Sequence, residues 1–92
     1  MAEGLNGTIV NSIGTCGTAA IALPSTKSVG RVTWIAYNDG TATVYLGGSG
    51  VTSSTGIPVA GTSYSPAMDL GNALIYGITA AGAGTVRVFE IS

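Results

Sequence analysis

Val29-Gly30-Arg31-Val32-Thr33-Trp34-Ile35-Ala36-Tyr37-Asn38-Asp39-Gly40-Thr41-Ala42-Thr43-Val44-Tyr45-Leu46 decides the fold class. Two runs of alternating character flank Asn38-Asp39-Gly40, a tripeptide suited to a three-residue hairpin loop with glycine in the left-handed position. Such a loop sets Tyr37 opposite Thr41. Ala36 then faces Ala42, Trp34 faces Val44 and Val32 faces Leu46, all on one side. The other side pairs Ile35 with Thr43, Thr33 with Tyr45 and Arg31 with Gly47. One face is wholly apolar and the other mixed, the pattern of an antiparallel pair buried on one side. A slip of one residue would scramble both faces. The stretch predicts a hairpin with Trp34 as a core anchor.

The end of the chain predicts a second hairpin over residues 73–91, with Ala80-Ala81-Gly82-Ala83-Gly84 as its loop and Thr79 opposite Thr85. One face collects Leu74, Tyr76, Ile78, Val86 and Val88, with Glu90 at its edge. The other holds Ala73, Ile75, Phe89 and Ile91, and places Arg87 across from Gly77. A small domain has one core, so the second apolar face is expected to meet another chain. Ile75, Phe89 and Ile91 are its candidate subunit contact.

Shorter strands are expected around Ile9-Val10, over Ala19–Leu23 ending at Pro24, near Ile57-Pro58-Val59-Ala60, and near Met68-Asp69-Leu70. Pro58 cannot donate to a ladder, which restricts its strand to a sheet edge. The Gly-Thr dipeptide recurs at 7–8, 14–15, 17–18, 40–41, 61–62 and 84–85, punctuating strands with a turn former and a β-branched starter. Gly or Pro interrupts every window long enough for a helix. The fold class is therefore all-β: a small antiparallel sandwich or barrel, jelly-roll-like, of about six to eight short strands. The chain reads as a single β domain over residues 1–92, with residues 1–6 as an extended arm.

Composition narrows function by exclusion. Three Lys/Arg and four Asp/Glu make 8% of the 92 residues, against about 25% in an ordinary soluble domain. There is no histidine, so Ser-His-Asp and Cys-His catalysis cannot be assembled. Glu3, Asp39, Asp69 and Glu90 read as isolated carboxylates, with Asp39 capping backbone groups in the first hairpin turn. Ser25-Thr26-Lys27-Ser28 reads as a polar loop after Pro24 and not as a serine–lysine pair. Neither a Cys/His cluster nor a calcium-loop spacing is present, and no cofactor is expected.

Gly47-Gly48-Ser49-Gly50 follows a strand but lacks the Lys-Ser/Thr and the helix of a phosphate loop, so it reads as a strand connection. Lys27, Arg31 and Arg87 are too few and too scattered to grip nucleic acid or an anionic membrane. Mean hydropathy is +0.50, yet no apolar run approaches the roughly 20 residues of a spanning helix. Residues 1–7 lack the basic region and apolar stretch of a secretory signal. The single cysteine, Cys16, reads as a buried apolar side chain. Tyr37 and Tyr45, on the mixed face of the first hairpin, form the candidate exposed aromatic platform on which a sugar ring could stack.

Thr43-Val-Tyr-Leu-Gly-Gly-Ser-Gly-Val51, Gly56-Ile-Pro-Val59 and Gly84-Thr-Val-Arg-Val-Phe-Glu90 resemble segments of the small β-rich virion proteins of tailed bacteriophages, most of all capsid decoration (cement) proteins. The resembling segments fall within residues 43–90, about half the chain. The resemblance implies a non-enzymatic structural protein on the capsid surface of the virion, made in the bacterial host cytoplasm. It also implies a homo-oligomer, a trimer being favoured, bound to the major capsid protein lattice. On this reading the N-terminal arm and residues 47–72 are the parts available for lattice contact or display. The alternatives are a tail, baseplate or fibre accessory protein, and a carbohydrate- or receptor-binding module.

Overall fold

The computed structural model describes residues 9–24, 33–69 and 73–91. Eight strands form in order: β1 Ile9–Cys16, β2 Ile21–Ala22, β3 Thr33–Asn38, β4 Val44–Gly47, β5 Ile57–Val59, β6 Met68–Asp69, β7 Tyr76–Thr79 and β8 Gly84–Ile91. Among the described residues there is no helix. The strands build two antiparallel sheets of four, ordered β1-β8-β3-β6 and β2-β7-β4-β5. First pairs with last, second with seventh, third with sixth and fourth with fifth. Such a chain is folded back at its midpoint and then rolled, so that β8 also meets β3 and β7 also meets β4. This is the connectivity of a jelly roll, the all-β architecture the alternating runs predicted.

Neither predicted hairpin forms. β3 and β4 lie in different sheets, and so do β7 and β8. Residues 39–43 and 80–83 are corners that carry the chain from one layer to the other. Alternation misleads here for a simple reason: two strands facing one core from opposite sheets show the same inward pattern as two strands paired in one sheet. Trp34 and Ala36 point inward from one layer, Val44 and Leu46 from the other, and all four are buried.

The second stretch is corrected in facing as well as pairing. Val44 and Leu46 lie opposite Thr79 and Gly77 in the ladder, so the small residues of β7 face inward. Tyr76 and Ile78 face outward. Space explains the choice, because a Cβ at Gly77 would stand 2.6 Å from Leu23 Cδ1 and 2.8 Å from Cys16 Sγ. Arg87 lies opposite Tyr37 and Ile13, not Gly77. Glu90 is not at an edge: β8 is an inner strand, and Glu90 is buried between Val10 and Trp34 in register.

The core is Cys16, Leu23, Trp34, Ala36, Val44, Leu46, Val59, Val86 and Val88, with Ile21, Met68 and Ile75 at its margin. Trp34 is fully buried, and its indole N–H donates to the Leu23 carbonyl at 2.9 Å, leaving no unsatisfied polar atom on the ring. Pro58 sits on edge strand β5, as its missing N–H requires. Beside β3, residues 62–65 continue the line of β6. Ser65 N donates to the Ala36 carbonyl, Ala36 N donates to Ser65 Oγ, and Tyr37 forms a bridge with Tyr64. The expected arm over residues 1–6, and the register partners Arg31 and Val32, lie outside the described residues.

Candidate binding surface on the outer sheet face

Residues directly opposite one another in a ladder project to the same side, so the register of the first sheet lays out its outer face row by row. One row is Ile9, Ile91, Thr33 and Asp69. The next is Asn11, Phe89 and Ile35, and the third is Ile13, Arg87, Tyr37 and Tyr64. Ile9 is 56% exposed, Ile13 61%, Phe89 49% and Tyr64 73%. Scattered exposed apolar residues are ordinary on a protein surface. Here they are neighbours on one face of a sheet, which is the arrangement that marks a contact surface.

A cleft of about 140 Å³ opens in this face between Ile35, Tyr37, Tyr64, Phe89 and Arg87. Its wall is the Tyr37–Tyr64 pair, with ring centroids 4.6 Å apart and planes tilted by 48°. At the rim Arg87 Nε donates to Asp39 Oδ2 at 2.9 Å. The pair is exposed, so it contributes little stability, but it neutralises the only cation of the described residues. Asp39 therefore pairs with a side chain, and it is Asn38 whose amide oxygen accepts from a turn N–H, at Gly40. Thr33 Oγ1 donates to Asp69 Oδ1 at the far end of the face.

The candidate residues are redistributed by the fold. Phe89 and Ile91 share the outer face of the first sheet as expected. Ile75 does not join them: it precedes β7 on the other layer and packs against the core margin, where its carbonyl accepts from Leu23 N. Tyr37 and Tyr45 are likewise separated. Tyr37 faces outward from the first sheet, whereas Tyr45 projects from the second, opposite Ile78 and Pro58. The aromatic partner of Tyr37 is Tyr64, which lies in the Gly/Ser/Thr-rich stretch between strands and shows no alternation that would place it.

Among the described residues no three His, Cys, Asp or Glu side chains gather where they could hold a metal ion. Cys16 is buried, and desolvation pushes its thiol up to about 11, so the nucleophilic thiolate is scarce at neutral pH. No described helix is long and apolar enough to cross a membrane. No protein-family model, curated protein or solved structure matches the chain.

Proposed function

We propose that the chain is a non-enzymatic structural virion protein that decorates a bacteriophage capsid and stabilises it by bridging neighbouring shell subunits. One observation carries the reading: the outer face of the first sheet gathers exposed Ile9, Ile13, Phe89 and Tyr64 around few polar groups, and Arg87, the one cation among the described residues, is already paired with Asp39. Burying such a face desolvates few charges, and its aromatic and Arg content is of the kind that anchors protein contacts. The segments that resemble phage virion proteins contain β4, β5 and all of β8 but Ile91, the midpoint fold-back and an inner strand of that face. Self-association into a trimer would use Phe89 and Ile91 within it. The protein would act at the capsid surface after synthesis in the bacterial cytoplasm, with no cofactor, nucleic acid or membrane as partner.

Shells assembled without the chain provide the test. Adding purified protein should coat them and raise the temperature at which they rupture, and Phe89→Asp should coat them poorly while folding normally. Failure of the unaltered protein to bind such shells would overturn the reading. The Tyr37–Tyr64 cleft favours one second reading, a carbohydrate- or receptor-binding module. In that case Tyr64→Ala would abolish retention on a glycan array without moving Tm, and shell binding would be absent.

A further inference from the structure

The four edges of the two sheets are not alike. β2 and β6 are two residues long, and β5 has three residues including Pro58. Short strands and proline are devices that keep a sheet edge from pairing with another chain. β1 has neither: it runs eight residues, Ile9-Val-Asn-Ser-Ile-Gly-Thr-Cys16, with no charge and no proline. Every residue of it is in register with β8, so no bulge twists it away. Among the described residues no strand lies beyond it.

Its sequence is also matched to itself. In an antiparallel pair related by a twofold axis perpendicular to the sheet, each residue meets one whose number completes a constant even sum. Placing the axis at Asn11 sets Asn11 against Asn11 of the second copy, and Ile9 against Ile13 on both sides. All three residues project to the outer face, where both isoleucines are more than half exposed. Val10 then meets Ser12 on the inner side. Centring on Ser12 or Ile13 would set Ile9 against Thr15 or beyond Cys16, and would lose the double isoleucine match.

We infer that the β1 edge pairs with the β1 edge of a second copy of this chain about a twofold axis at Asn11, joining two four-stranded sheets into one of eight. The contact stands independently of the virion reading. It complements the trimer proposed through Phe89 and Ile91, because the edge engages backbone groups and the trimer engages side chains of β8. A twofold and a threefold contact on one protein together build a net, the form a layer that spans shell subunits would need. A single-strand edge falls short of the roughly 1,200 Å² of a standard interface, so the pairing is expected to be weak in dilute solution and populated at high concentration.

Cross-linking the full-length protein with a short bismaleimide tests it. Cys16 is buried, so the unaltered protein is the blank. Asn11→Cys should give a covalent dimer at high yield, and a mixture of Ile9→Cys with Ile13→Cys should cross-link several-fold more than either variant alone. Thr15→Cys should stay monomeric, since eight residues of offset at about 3.4 Å each separate it from its own counterpart. Adding Ile13→Lys to Asn11→Cys places a charge against Ile9 of the second copy and should abolish the dimer. Circular dichroism establishes that each variant is folded. Monomeric Asn11→Cys, or equal cross-linking of Asn11→Cys and Thr15→Cys, would overturn the inference.

Discussion

The two corners of the roll, residues 39–43 after β3 and 80–83 after β7, do the same job with unequal means. Each begins at a buried polar residue closing a strand, Asn38 in one and Thr79 in the other. The Asn38 amide donates to the Ala42 carbonyl at 2.8 Å and to the Val59 carbonyl at 2.9 Å, and accepts from Gly40 N at 3.1 Å. It ties the strand, the corner and an edge strand of the opposite sheet in one knot. Gly61 passes so close to this corner that a Cβ there would stand 2.7 Å from the Gly40 and Thr41 carbonyl oxygens. Thr79 makes one side-chain bond, Oγ1 to the Gly82 carbonyl at 2.8 Å, within its own turn. That turn is completed by the left-handed backbone of Gly82, at φ 74°. The difference teaches that a layer-to-layer corner can be held either by a cross-sheet polar knot or by local turn geometry.

Substitution can break this contrast. Asn38→Ala leaves the buried Val59 carbonyl and the partly buried Ala42 carbonyl and Gly40 N–H without their partner, and should cost about 2–4 kcal/mol in urea unfolding. Thr79→Val keeps the volume and removes one hydrogen bond, so a loss of about 1 kcal/mol is expected in the same measurement. Equal losses at the two sites would abolish the distinction between them. Arg87→Ala removes the exposed pair with Asp39 that reaches from β8 to the first corner, and should cost about 0.5 kcal/mol or less. A larger loss would place part of the corner's anchorage outside the Asn38 knot.

The same corners mark where sequence reading stopped. Strand positions were legible because Gly, Pro and alternation are local: Pro24 ends the β2 region, Pro58 confines β5 to an edge, and Met68-Asp69 forms β6. The interior side of Trp34, Ala36, Val44, Leu46, Val86 and Val88 was legible for the same reason, as was the burial of Cys16. Sheet membership was not, because facing the core says nothing about which layer a residue faces it from. A hairpin tip leaves its polar residues in water, whereas Asn38 makes three bonds at the corner.

The candidate surface was only half visible. Phe89 and Ile91 follow from the alternation of β8, whose Val86, Val88 and Glu90 point inward. Ile75 lies apart from them because β7 turns Gly77 and Thr79 to the core, a facing set by the room that Leu23 and Cys16 occupy. Tyr64 reaches the face through backbone bonds between residues 62–65 and β3, which carry no side-chain signature. The contribution of β1 to the face depends on pairing β1 with β8, the pair most distant in sequence.

The proposed virion role is tested most directly by isolating the phage particles it calls for and counting the copies of this chain in them by quantitative mass spectrometry. A decoration protein that bridges shell subunits should be present at a copy number comparable to that of the major capsid protein. A handful of copies per particle would assign it to the tail or baseplate instead, and its absence from purified particles would contradict a virion role altogether.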